Sequence, residues 1–143
     1  PMSRYQTLLE DYARLAGLAP VEDFLASQEL VIADLVVGLA LEGDADRGDI
    51  AFFASLGRPA PQVAREQLLQ LMLEANALWV GTGGCTLGLQ AGSGAVLLCA
   101  RAPLALCDAP ALAAALDAFA DVGLLWREVV QGRVSPELPQ RAA

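Results

Sequence analysis

Residues 68–79, Leu-Leu-Gln-Leu-Met-Leu-Glu-Ala-Asn-Ala-Leu-Trp, constrain this chain more than any other stretch. Leu68, Met72, Ala75 and Trp79 fall on one stripe at helical spacing, and Leu69, Leu73 and Leu78, with the smaller Ala77, widen it. A surface helix needs an apolar arc of only about 100°. The pattern therefore predicts a helix apolar on two sides, which needs two partners. One is the chain's own sheet. The other is a second copy of the chain, or else the helix is the buried centre of a single large domain.

The rest of the composition favours kept-back apolar surface. The chain has 143 residues, enough for one domain with its own core and no need of a disulfide or metal. We expect one domain over residues 3–132 and a flexible tail over 133–143. Pro1 reads as a cloning scar ahead of Met2 as the native start. Hydrophobic residues make up 55% of the chain, above the usual share of about 45–50%. That excess is hard to hide in a small monomer.

Charge and missing residue types exclude several functions. Seventeen acids face nine Arg, with no Lys, for a net charge of −8. Nucleic-acid affinity comes mainly from cations on phosphates, so no nucleic-acid partner is expected. The absence of His removes Ser-His-Asp and Cys-His catalysis and His-liganded metals. The absence of Lys removes a Walker A loop and a Schiff base. Cys85, Cys99 and Cys107 are odd in number, lack CxxC spacing and read as reduced core thiols of a cytosolic protein. No signal peptide is apparent, and every apolar run is interrupted before about 18 residues, so no membrane span is expected. No catalytic residue, cofactor or metal is expected.

Ser3 caps a first helix bearing Tyr5, Leu8, Leu9, Tyr12, Leu15 and Ala16, and Gly17 ends it. Residues 20–27 are ambiguous. Residues 29–34, 35–42 and 49–57 read as an antiparallel meander, with Leu35, Val37, Leu39 and Leu41 on one face. Which face of the meander is open is undecided at this point. The loop 43–48 holds Asp44 and Asp46, but its calcium pattern fails at Gly48 and Ser55. Its Arg-Gly-Asp tripeptide is too short to carry weight. Both read as a solvated turn. The central helix starts near Gln62 and ends by Val80. Gly81-Thr82-Gly83-Gly84 follows a helix and opens a strand, the reverse of a phosphate loop. Residues 85–90 and 95–101 form a second hairpin about Ala91-Gly92-Ser93-Gly94. Asp108 caps a last helix whose core stripe is Leu112, Leu116, Phe119, Gly123, Trp126 and Val130.

The expected fold class is α+β, in the order α-β-β-β-α-β-β-α, with a curved, mainly antiparallel sheet packed by helices. Several local patterns resemble the class I type III secretion chaperones, the Tir-chaperone-like family. They are Tyr5-Gln6-Thr7-Leu8-Leu9 with Gly17-Leu18, and Leu71-Met72-Leu73-Glu74-Ala75-Asn76, similar to that family's "LL-x-A-N" helix end. Gly83-Gly84-Cys85-Thr86-Leu87-Gly88-Leu89, Val96-Leu97-Leu98 and the last helix complete the set. The resemblance implies a homodimer in a bacterial cytoplasm. It would hold the N-terminal segment of a secreted effector in a non-globular form and deliver it to the secretion apparatus, whose ATPase is a further expected partner. No reaction is catalysed.

By that analogy the dimer interface comprises Leu69, Leu73, Asn76 and Trp79, with Val96 and Leu98 of the neighbouring strand. The effector-binding residues are Leu8, Tyr12, Leu30, Ile32, Val37 and Leu39. Intramolecular core is the competing role for each of them. Asn76 either caps its helix or bonds across the twofold axis. Two other readings stay open: a sequestering regulator or adaptor of the same fold, and a small dimeric ligand-binding domain or enzyme. The latter would have to rely on Asp, Glu, Arg or Cys, with Asp34, Glu42 and Asp49 as the carboxylates near strand ends.

Overall fold

The computed structural model describes residues 1–135. The expected tail therefore lies outside the described residues from position 136 onward. Four helices accompany a five-stranded antiparallel open sheet of order β1-β2-β3-β5-β4. Two compact units divide the chain. The first holds residues 1–53 and 101–120, the second residues 54–100 and those from 121 onward.

The first unit opens with α1, Arg4–Ala16. The Ser3 hydroxyl accepts the Gln6 N–H at 3.1 Å. Gly17, at φ 69°, returns its own N–H to the carbonyls of Ala13 and Arg14. The left-handed turn that ends the helix is open to glycine without a Cβ penalty. A second helix, α2 (Val21–Ser27), fills the ambiguous stretch and buries Phe24. Its ring lies 6.2 Å from that of Tyr12.

Three strands follow: β1 (Glu29–Ile32), β2 (Leu35–Glu42) and β3 (Asp49–Ser55). The first is shorter than expected because Ala33 and Asp34, both at positive φ (47° and 76°), form a two-residue turn. Such turns match strand twist but usually advertise themselves with Asn or Gly. Ala-Asp carries neither signal. The loop 43–48 is tied down by backbone bonds. Asp44 Oδ1 accepts the N–H groups of Asp46 and Arg47 at 2.8 and 3.0 Å. Asp46 Oδ1 accepts from Arg4 N–H at 2.9 Å, and the Ala45 carbonyl accepts from Tyr5 N–H at 3.0 Å. These carboxylates hold the turn and the start of α1.

In the second unit the N–H of Leu56 donates to Val96 and that of Val96 donates to Gly57, at 2.8 and 2.9 Å. Then comes α3, Arg65–Asn76. It is shorter at both ends than the pattern predicts. Leu78 and Trp79 adopt positive φ (55° and 56°) and break the helix. Next are β4 (Thr86–Leu89) and β5 (Val96–Pro103).

The last helix, α4 (Ala109–Val130), belongs in part to each unit. Asp108 Oδ1 accepts the Ala111 N–H at 2.9 Å, the cap expected of it. By length and composition alone α4 could cross a membrane, which corrects the expectation that no segment could. Its apolar stripe is core instead: Leu112, Leu116, Phe119, Trp126 and Val130 are all buried. In the first unit the ring of Phe119 meets that of Phe52 edge-on at 5.9 Å. In the second, the Trp126 indole N–H donates to the Gly81 carbonyl at 2.9 Å.

Cys85 is buried ahead of β4, and burial, with the neighbouring Cys99 adding, pushes its thiol up to about 11. The folded value lies above the ordinary 9.0. This group therefore stabilises the fold fully below about pH 9, and its contribution is lost as pH climbs towards 11. A protonated thiol is a poor nucleophile. Iodoacetamide at pH 8 is expected to leave Cys85 unmodified in the native protein and to alkylate it in denaturant, read by mass spectrometry of its peptide. Rapid native alkylation of Cys85 would contradict this.

Candidate binding surfaces

Strand alternation sorts the first unit's residues onto two faces. Leu30 stands opposite Val37, and Leu39 opposite Phe52. These four are buried, as are Leu35 and Ile50. The other face carries Val31 opposite Val36, Gly38 opposite Phe53 and Ala40 opposite Ala51. There Val31 is 66% exposed, Val36 52% and Phe53 43%. A methyl group at Gly38 would collide with the Phe53 ring. The ring therefore lies flat across the glycine and widens a continuous apolar strip.

The residues assigned to a client from the sequence sit elsewhere. Leu8, Tyr12, Leu30, Val37 and Leu39 are buried, and Ile32 is half-buried. The two tyrosines of α1 face inward: Tyr5 donates its hydroxyl to Gln28 Oε1 at 2.5 Å. Burial raises the Tyr12 phenol above its usual value, with the Asp117 carboxylate adding to the effect. Side chains this enclosed offer a partner no area to cover. The physical reason is that both faces of the meander are apolar, and the packed one took the larger share of Leu and Ile. The accessible positions are the intervening ones, Val31, Val36 and Phe53, which sequence alternation could have named had the open face been known.

In the second unit, Leu73 is 71% exposed, Leu78 83% and Trp79 55%; Val80 and Leu89 are also exposed, and Leu69 is half-buried. Positive φ costs a bulky residue roughly 1–2 kcal/mol. Two such residues in succession, displaying a Leu and a Trp to solvent, form a strained apolar loop. Val96 and Leu98 belong to the packed face of β5, both at 0% exposure, and cannot line a surface contact. The half-buried Leu97 and Cys99 occupy the opposite face.

Asn76 does not cap its helix; its carboxamide reaches strand β4 within the chain. Its Oδ1 accepts the Leu87 N–H and its Nδ2 donates to the Leu87 carbonyl, both at 2.8 Å. The side chain pins the end of α3 to strand β4. Sequence offered no signal for this, because the partner is backbone.

Asp34, Glu42 and Asp49 do not converge. Asp34 precedes β2 and Glu42 ends it, about 25 Å away for eight extended residues. Glu42 faces Asp49 across the ladder and pairs with Arg101 at 3.3 Å, with both partners of that ion pair exposed. This is a solvated pair of the kind that contributes little. Among the described residues no cluster of three or more Cys, Asp or Glu could hold a metal ion.

Comparison with solved structures finds the same fold repeatedly. A chain of the HopA1–SchA chaperone–effector complex superposes with a TM-score of 0.65 at 23% identity, covering 87% of this chain and 94% of its own. The ExsC–ExsE complex gives 0.69 at 20% identity, covering 91% and 98%. The Yersinia pestis type III secretion chaperone SycH, solved with a stable fragment of YscM2, gives 0.61 at 22% identity, covering 85% and 98%. At these identities the likeness is one of fold. A sequence comparison with curated proteins finds no match. The model of the Tir chaperone protein (CesT) family matches residues 7–126, from within α1 to within α4. The match runs through both apolar surfaces, and the chain belongs to the Tir chaperone protein (CesT) family.

Proposed function

We propose that this protein is a cytoplasmic chaperone of type III secretion. It binds the N-terminal segment of a secreted effector in an extended, non-globular form and keeps it competent for export. The observation that carries this reading is the strip Val31–Val36–Phe53 on the open face of the first unit. Covering three half-exposed apolar side chains is worth about 1 kcal/mol each. A disordered segment must recover its ordering cost over a long contact, so such strips are useful only in numbers. Twofold pairing doubles them.

Strand addition supplies the rest. A two-residue turn follows Ile32, and the Leu39 N–H donates to Gln28 at 2.8 Å. Ladder alternation then directs the backbone groups of Val31 outward from β1. An extended client can pair there while its side chains reach the adjacent strip. The second apolar surface, Leu73 to Val80 with Leu89, joins two copies into a homodimer. No catalysis is assigned: the chain has neither His nor Lys, and its most buried thiol is held protonated. Handover to the secretion apparatus involves its ATPase.

Co-expression with secreted proteins encoded beside it tests the reading. A client should co-purify, and its N-terminal segment should resist protease only in the complex. Failure with every such candidate would favour a regulator or adaptor of the same fold.

A further inference from the structure

A five-stranded open sheet has two edges, and in this chain they are β1 and β4. An open edge is a template for any extended chain, including another copy of the same protein. At β4 a side chain, Asn76, lies against the edge. Thr86 pairs with Cys99, Gly88 with Leu97, and the Gln90 N–H donates to Ala95 at 2.8 Å. By alternation, positions 86, 88 and 90 turn their backbone groups to β5, while Leu87 and Leu89 turn theirs outward. Asn76 takes both outward groups of Leu87, donor and acceptor, at 2.8 Å each.

A carboxamide carries the same donor–acceptor pair as a peptide group, so Asn76 stands where one residue of an added strand would stand. Asp could accept but not donate, and Ala could do neither. We infer that Asn76 closes the β4 edge, so that extended chains add to this sheet at β1 alone. The statement about β1 rests on the client reading above. The closure of β4 does not. The remaining outward position at this edge is Leu89, itself exposed, and one position is too few to seat a strand.

The test uses the full-length protein without a client. In the parent, the Leu87 amide should exchange slowly with deuterium, and exchange at the rate of a free peptide would overturn the inference. In Asn76→Ala that amide should exchange about tenfold faster or more, the factor matching a lost bond of about 1.4 kcal/mol. Sedimentation velocity of the same variant should show species larger than the parent assembly, growing with concentration. Adding Thr86→Lys, a charge on the reopened edge strand at an exposed position outside the surface that joins two copies, should restore the parent mass. If Asn76→Ala does not fold, Asn76→Asp keeps the acceptor and removes the donor, with the same expected growth and the same rescue. A variant that folds, loses Leu87 protection and keeps the parent mass at every concentration overturns the closure. So does one that falls to the single-chain mass, which would assign Asn76 to the contact between copies. A failed client reading would show in the co-expression experiment and leave these readouts unchanged.

Discussion

Leu73→Asp is expected to convert the protein from twice the single-chain mass to the single-chain mass in light scattering behind gel filtration. In the isolated chain Leu73 is 71% exposed, so a carboxylate there remains solvated and the fold is unharmed. Between two copies it would be desolvated. An uncompensated buried charge costs about 3–5 kcal/mol, which is roughly two to three and a half orders of magnitude in affinity. A twofold contact imposes the change on both copies. Circular dichroism should match the parent, which separates dissociation from unfolding. A variant that keeps the doubled mass would place the contact elsewhere.

Trp126→Ala is expected to have the largest effect on stability. The indole is fully buried and its N–H satisfies the Gly81 carbonyl. Truncating a buried Trp costs about 3–5 kcal/mol, and leaving a carbonyl unpaired adds about 1–3. Domains of this size have only about 5–15 kcal/mol in total. The melting temperature should fall by roughly 10–20 °C, and much of the protein should be lost on expression. Trp126→Phe keeps one aromatic ring while losing the pyrrole half and its donor, so it should cost less than Trp126→Ala. The Gly81 N–H donates in turn to Ala75 at 3.1 Å. Trp126 thereby steadies the strained segment that displays Leu78 and Trp79. A melting temperature within a degree or two of the parent in Trp126→Ala would contradict this account of the core.

Features written in local chemistry were legible in the sequence. Ser3 and Asp108 cap helices because a hydroxyl or carboxylate two or three residues upstream reaches free N–H groups. The stripe from Leu112 to Val130 follows from helical spacing. Other features depend on contacts that spacing does not encode. The apolar pattern of α3 continues through Ala77, Leu78 and Trp79, yet the helix stops at Asn76, and neither Leu nor Trp advertises positive φ. Alternation separates two faces without saying which one packs, so it points to Leu30, Val37 and Leu39 as readily as to Val31, Val36 and Phe53. The sequence does not disclose the bond from Asn76 to the backbone of Leu87 because that partner is distant in sequence and carries no side-chain signal.

The central claim is that an extended client lies on the open face beside β1. It is tested most directly by placing Val36→Asp and Phe53→Asp together in the co-expressed complex. Both side chains are about half exposed, so melting temperature and assembly mass should hold at parent values. The client should then fail to co-purify, and its N-terminal segment should be digested as fast as in isolation. Client recovery and protease protection at parent levels would contradict the account.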